Sequence, residues 1–507
     1  MERYNDKRAE EYLQIPVADK TVTTDLSGDC TLPDYLPDIK RLLRVQAQIQ
    51  PPSEYVGNRE AELAGAIDYY ALYAGSDNEI YCAPLTSEYK ITIPYETAEG
   101  IDVAESKIRS VITPDMVGGR VTSPRKLNVK CRLRTRALIL GDMPLESSFD
   151  SDEEDLEVLR ERVVVTEMLD GRGEVTGLGD EMLLDGKNGD VRVSCAEGRV
   201  LVSEAMAETN GVSCRGDLII KLMMSREDGS TPVCVTRKIP FTGVVAIEGV
   251  TAGCQVSAAG TLSELGVTVE DNRIVTDAVV ILTARACREG RVDYVKDAFS
   301  TSRRSICDYS AIPVATAGLE FGGNFTLSDS VLLDEIGTSR DAKIIDVCGA
   351  SFVEDAFPED GRCVVSGKAR FTLLCEKEGE FSTADVELPF RYEVKGVADS
   401  ALCSAEVITA RARSDGERVG IDAEIAVRGS LWCADALKMP RRIAFGEEIV
   451  RDRGALVICY PSKDDSLWSV AKRYGVKVGA LAERNGIANA EVYDSAGSLA
   501  DARYLML

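Results

Sequence analysis

Acid–base and nucleophilic chemistry needs titratable side chains at workable spacing, and this chain supplies few of them. It contains no histidine, which removes Ser-His-Asp and Cys-His catalysis, histidine–metal centres and imidazole-based pH switching. Carboxylate pairs such as Glu153-Glu154 and Glu447-Glu448 are adjacent in polar segments, and neighbours on a chain do not face one substrate atom. A glycoside hydrolase brings two carboxylates from separate elements to about 5–9.5 Å, and no spacing here signals such a pair. The fifteen cysteines are scattered singly with no Cys-x-x-Cys, so neither a zinc site nor a disulfide framework is expected. Several, Cys131 and Cys375 among them, lie inside apolar runs and read as small buried hydrophobes. The expectation is a protein without enzymatic activity, metal or cofactor.

The chain is organised around a stretch written three times. It begins at Gly65 (Gly-Ala-Ile-Asp-Tyr-Tyr-Ala-Leu-Tyr), at Gly216 (Gly-Asp-Leu-Ile-Ile-Lys-Leu-Met-Met) and at Gly367 (Gly-Lys-Ala-Arg-Phe-Thr-Leu-Leu-Cys), and both intervals are 151 residues. Each copy is followed by a proline-containing stretch: Ala83-Pro84-Leu85, Ile239-Pro240-Phe241 or Leu388-Pro389-Phe390. A third strand closes each copy, from Leu127, Val275 and Val419. The first and last of these alternate apolar with polar residues, the period of a strand with one face on a core. The fold class is therefore mainly β, with three repeated sandwich-like domains of about 150 residues, although alternation alone also allows a barrel. The domains are placed at 1–141, 156–288 and 311–434, with a small C-terminal unit at 452–507.

Length and charge agree with this division. At 507 residues the chain exceeds what one core supports, and domains of about 100–150 residues predict three to five units. A formal net charge of −25 argues against nucleic acid as a partner, because phosphate backbones require a basic stripe. The charged N-terminus has no apolar segment of signal-peptide length, and no run approaches the roughly 18 apolar residues of a membrane span. A cytoplasmic protein without membrane insertion is expected.

Connecting segments complete the reading. Residues 1–14 form a charged lead-in. Pro37 followed by Ile39, Leu42 and Leu43 predicts a short helix with one apolar face. The Glu146–Asp155 run of acids and serines reads as a solvated linker, Leu156 onward as the start of a short helix, and 288–305 as a solvated loop. Exposed edge strands leave self-association by strand addition open.

The C-terminal unit differs from the repeats. A strand from Ala455 to Tyr460 precedes Asp465-Ser466-Leu467-Trp468-Ser469-Val470-Ala471-Lys472-Arg473-Tyr474-Gly475. Leu467, Val470, Ala471 and Tyr474 recur at helical spacing, Asp464 or Asp465 is placed to cap the helix, and Gly475 to end it. By that phase Leu467 is a core residue, and Trp468, about 100° further round the helix, is exposed. A second helix from Val478 and a final strand at 503–507 complete a βααβ order.

These residues resemble the LysM domain, residue for residue from Asp465. The resemblance implies a shallow groove for N-acetylglucosamine-containing glycans such as peptidoglycan, formed here by Asp465, Ser466, Leu467, Trp468, Asn485, Gly486 and Ile487. Two departures stand out: Asp464 replaces the family's glycine, and its Pro-Gly-Gln turn is replaced around Ser498–Asp501. With Thr31-Leu-Pro-Asp-Tyr-Leu-Pro-Asp-Ile-Lys-Arg-Leu-Leu43 and the Leu/Ile-Pro-Phe stretches, the arrangement also resembles the SPOCS-domain proteins of spore formers. That resemblance implies a spore-coat morphogenesis scaffold in the mother cell. Its LysM domain would dock to the coat basement-layer ATPase at the forespore surface. A glycan-binding wall protein is the alternative.

Overall fold

The computed structural model describes residues 12–96, 102–145, 155–184, 191–226, 231–270, 272–396, 398–450, 457–487, 494, 499 and 502–507. Most of the expected lead-in and the acidic linker lie outside them. The first copy holds β1 (Tyr12–Thr31), β2 (Ile39–Ile49), β3 (Ser53–Val56), β4 (Glu60–Gly75), β5 (Ile80–Pro94), β6 (Asp102–Ser123) and β7 (Lys126–Pro144). The second runs through β8 (Leu156–Leu183), β9 (Val191–Glu208), β10 (Gly211–Arg226), β11 (Val233–Ala246), β12 (Gln255–Glu270) and β13 (Arg273–Ser300). The third comprises β14 (Arg303–Leu332), β15 (Lys343–Glu359), β16 (Arg362–Lys377), β17 (Glu380–Lys395), β18 (Ser400–Ser414) and β19 (Arg418–Glu448). The architecture is mainly β.

Each copy is a sandwich of two antiparallel sheets. In one sheet the last strand of each copy, β7, β13 or β19, lies between its first and its penultimate strand; in the other β4, β10 or β16 is central. The apolar residues of both sheets meet in one core per copy, with Ile67, Ile220 and Phe371 among the fully buried side chains. The repeated glycines have a steric cause. Gly216 faces Phe241 and Gly367 faces Phe390 across the ladder, and a Cβ at either would stand 2.8 or 2.5 Å from the ring. In the first copy the ring opposite Gly65 is Tyr89, so the counterpart of Phe241 lies beyond the Ala83-Pro84-Leu85 stretch that the sequence pattern aligned with it.

Three sequence expectations are corrected here. Ile39–Val45 is not a helix but part of strand β2. Its pairing with β4 skips a residue at Lys40 and again at Leu43, and two bulges stretch a period of two into an apolar spacing that mimics a helical face. Leu156 onward is strand β8, and 288–305 is no loop: β13 and β14 run through it and turn between Ser300 and Arg303.

The bulge at Leu43 has counterparts. The ladders skip Ser194 in β9 and Ile345 in β15 at the same place. In all three copies it precedes an inward residue: Arg44, Cys195 or Asp346. Those positions converge because the copies close in a ring, with β5 against β9, β11 against β15 and β17 against β2. Leu72, Met223 and Leu374, again 151 residues apart, pack together. Beside them Arg44 bonds Asp346 at 2.7 Å and Glu197 at 2.6 Å, and Lys221 bonds Asp346 at 2.8 Å. Burial would raise the Asp346 carboxyl, but Lys221 and Arg44 hold it well below its ordinary value. A second buried cluster joins Arg109 to Glu320 at 2.6 Å and Asp170 at 2.9 Å, with Ser257 and Ser430 donating to Glu320.

Arg44→Met leaves two buried carboxylates sharing Lys221, and loss of one partner of a buried ion pair costs about 3–5 kcal/mol. A urea titration should show that loss of stability; a change under about 1 kcal/mol would contradict the role given to Arg44.

Candidate binding site on the C-terminal module

The module is built from β20 (Ile458–Cys459), α1 (Leu467–Tyr474), α2 (Val478–Arg484) and β21 (Leu505–Met506). Helix α1 starts at a reciprocal cap: Ser469 N–H donates to Ser466 Oγ at 3.1 Å and Ser466 N–H to Ser469 Oγ at 3.0 Å. The cap is therefore Ser466, not Asp464 or Asp465, because the hydroxyl pair satisfies both end amides locally. Asp465 instead accepts from Ser462 N–H at 2.9 Å and pairs with Arg473 at 2.5 Å. The Arg473 hydrogen bond, aided by Ser462, holds its carboxyl at about 2. Gly475 ends the helix with φ 62°, the left-handed cap expected of a glycine.

The seven groove residues divide by environment. Leu467 lies in the module core, with Val470, Ala471, Leu481 and Leu505. Asn485 fastens α2 to β21: its side-chain amide donates to Leu481 O and Met506 O and its Oδ1 accepts from Met506 N–H, all within 2.9 Å. Gly486 takes φ 68° at the turn and Ile487 is half-buried against the core. Asp465 and Ser466 are buried. Most polar groups expected to line a groove are thus spent inside the module. The altered turn at Ser498–Asp501 lies, apart from Leu499, outside the described residues.

Trp468 is 6% exposed, against the expectation of an outward side chain. Helical phase does turn it away from Leu467, but the tip of the β13–β14 hairpin covers it. Its ring meets Phe299 edge-on with centroids 4.9 Å apart, and its Nε1–H donates to Asp297 Oδ2 at 2.9 Å. Lys472, one turn along α1, bonds both oxygens of Asp297 at 2.6 and 2.8 Å, and Tyr309 Oη–H donates to the same carboxylate. Burial would raise the Asp297 carboxyl; the bonds from Lys472, Tyr309 and Trp468 outweigh it and hold the group below its ordinary value. Val478 N–H, at the start of α2, donates to Glu157 at 3.2 Å, and Lys296 pairs with Asp494 at 2.5 Å. These contacts fix the module on the hairpin.

The free surface lies elsewhere. The two-stranded ladder pairs Ile458 with Met506 and Cys459 with Leu505, and Tyr460 and Tyr504 follow and precede its paired residues. Cys459 and Leu505 point inward, while Ile458, Tyr460 and Tyr504 are 43, 76 and 54% exposed. Sequence reasoning passed over these tyrosines, although period two from the buried Cys459 would have turned Tyr460 outward.

The family model for the LysM domain matches residues 462–493. That span holds Asp465 through Trp468 and Asn485 through Ile487. No curated protein and no solved structure matches the chain. Among the described residues no helix is long and apolar enough to cross a membrane, and no cluster of carboxylates and cysteines is arranged to hold a metal ion.

Asp297→Ala strands Lys472 and the Trp468 N–H, and hydrogen bonds to a charged group contribute about 1.5–3 kcal/mol each. Amides of α1 should exchange faster in that variant while those of the repeats stay protected. Because the folded carboxyl is depressed, its contribution is complete above the ordinary aspartate value of about 3.9 and is lost as pH falls through the lowered one. Exchange in α1 that is unchanged by the substitution would show that the carboxylate does not hold the module.

Proposed function

We propose that the protein is a non-enzymatic scaffold of the spore-coat type. Its LysM module docks a protein partner, the coat basement-layer ATPase at the forespore surface, on the mother-cell side. One observation carries the reading: the module sits at a fixed place on the end of an extended sheet, with Asp465, Ser466, Leu467 and Trp468 of the predicted groove buried and a tyrosine face turned outward. Strand β13 has 28 residues against 19 in β7, and the nine extra residues extend the second copy by roughly 30 Å at 3.3 Å per residue. The third copy is extended likewise, with 30 residues in β14 and 31 in β19, and a ring of repeats extended on this side is suited to holding a docking surface away from its own body. Tyr460 and Tyr504 supply large rigid contact area of the kind that dominates protein interfaces.

A second reading has its own support. The LysM match at 462–493 favours a peptidoglycan-type glycan, for which the exposed tyrosines offer stacking faces. Calorimetric titration of the full chain with the basement-layer ATPase, and separately with N-acetylglucosamine oligomers, separates the two. The scaffold reading expects binding to the ATPase alone, weakened about tenfold or more by Tyr460→Ala, with the fold retained. Binding to sugar alone would move the protein to the wall, and binding to neither would remove both readings.

A further inference from the structure

Between the two buried charge clusters the three repeats form a half-open cavity of about 330 Å³. All three copies contribute to its wall: 47–52, Glu54 and 110–114 from the first, 198–200, 257–262 and Arg285 from the second, and 349–351, 404–407 and Arg428 from the third. The wall carries four arginines, Arg172, Arg199, Arg285 and Arg428, against two carboxylates, Glu54 and Glu406. The lining is net positive although the chain as a whole carries −25.

The arginines are positioned alike. Each commits one nitrogen to a backbone carbonyl: Arg172 to Pro52, Arg199 to Gly198, Arg285 to Ser110 and Arg428 to Val202, at 2.7–3.3 Å. A guanidinium has five N–H donors, so these bonds aim each group without exhausting it. Arg199 and Glu406 stand 3.7 Å apart and Arg285 and Asp170 3.8 Å apart, and among the described residues Arg172 and Arg428 form no ion pair. The wall also holds two unsatisfied polar atoms. Ser351 is 8% exposed and its Oγ has no hydrogen-bond partner; Gln50 Oε1 is also unpartnered. A buried polar atom without a partner is rare enough to need a cause, and a bound molecule supplies one.

We propose that this cavity is a binding site for a small hydroxylated dianion, a phosphorylated or dicarboxylic polyol acid. Its two charges balance the lining, its anionic oxygens accept from the arginines and Ser351 Oγ, and a hydroxyl donates to Gln50 Oε1. Because all three repeats form the wall, the occupied site would also tie the ring together, and ligand binding would raise the stability of the whole body. The proposal stands independently of what the LysM module binds.

The test is calorimetric titration of the full chain with glycerol phosphate and with malate, using glycerol as the uncharged control. The site predicts one-to-one binding of at least one dianion, a higher Tm with it, and no response to glycerol. Binding of glycerol phosphate alone identifies a phosphoryl ligand, and of malate alone a dicarboxylate. Arg199→Gln should weaken binding about tenfold or more. Ser351→Ala, which only removes an unpartnered hydroxyl and so spares the fold, should weaken it several-fold, and it decides the matter if Arg199→Gln does not fold. No binding of either dianion, equal binding of glycerol, or unchanged affinity in folded variants would overturn the site.

Discussion

Closing three copies of one sandwich into a ring forces equivalent positions to meet at the centre, and a position that meets its own equivalents cannot carry the same charge in each. Had 44, 195 and 346 all been arginine, three guanidiniums would be buried against one another with no counter-charge. The chain instead places arginine, cysteine and aspartate there, and the neighbouring positions 46, 197 and 348 hold glutamine, glutamate and cysteine. Divergence between the copies is thus a condition of closure rather than drift. A buried charge is tolerable only when paired, so each copy depends on residues that another supplies.

The same constraint explains the second cluster. Arg109 and Ser257 occupy one place in the first and second copies, and Asp170 and Glu320 one place in the second and third, as the sheet registers show. Cation, hydroxyl and carboxylates arrive from different copies at one point. The cavity between the clusters follows from the geometry: three sandwiches touching along their edges leave a space where the bulged strands turn inward, and its wall inherits polar residues from every copy. At the end of the extended hairpin, Asp297 repeats the principle on a small scale, as one carboxylate gathers Lys472, Tyr309 and Trp468 and holds a separate module in place.

Much of this was legible in the sequence. The interval of 151 residues gave the number of copies, and alternation in Leu127–Leu133 and Val419–Val427 gave their strand character. The spacing of Leu467, Val470 and Ala471 gave the first helix of the module and its core. What escaped was everything set by register between distant strands. The bulges at Lys40 and Leu43 made a strand look helical, and only the ladder shows that they point Arg44 at the centre. Trp468 was outward by helical phase, yet phase carries no knowledge of Phe299 and Asp297, some 170 residues earlier, which cover it. The groove residues named from the LysM resemblance lie within the span that the family model matches, but Asp465 and Asn485 are satisfied within the module.

If each copy depends on charges supplied by the others, the repeats cannot unfold one at a time. Scanning calorimetry of the full chain tests this most directly. The account predicts one cooperative transition for the three-repeat body, with calorimetric and van't Hoff enthalpies in agreement, beside at most a smaller transition of the C-terminal module. Three separable transitions of similar enthalpy would show that the copies are independent domains and that the buried charges do not join them.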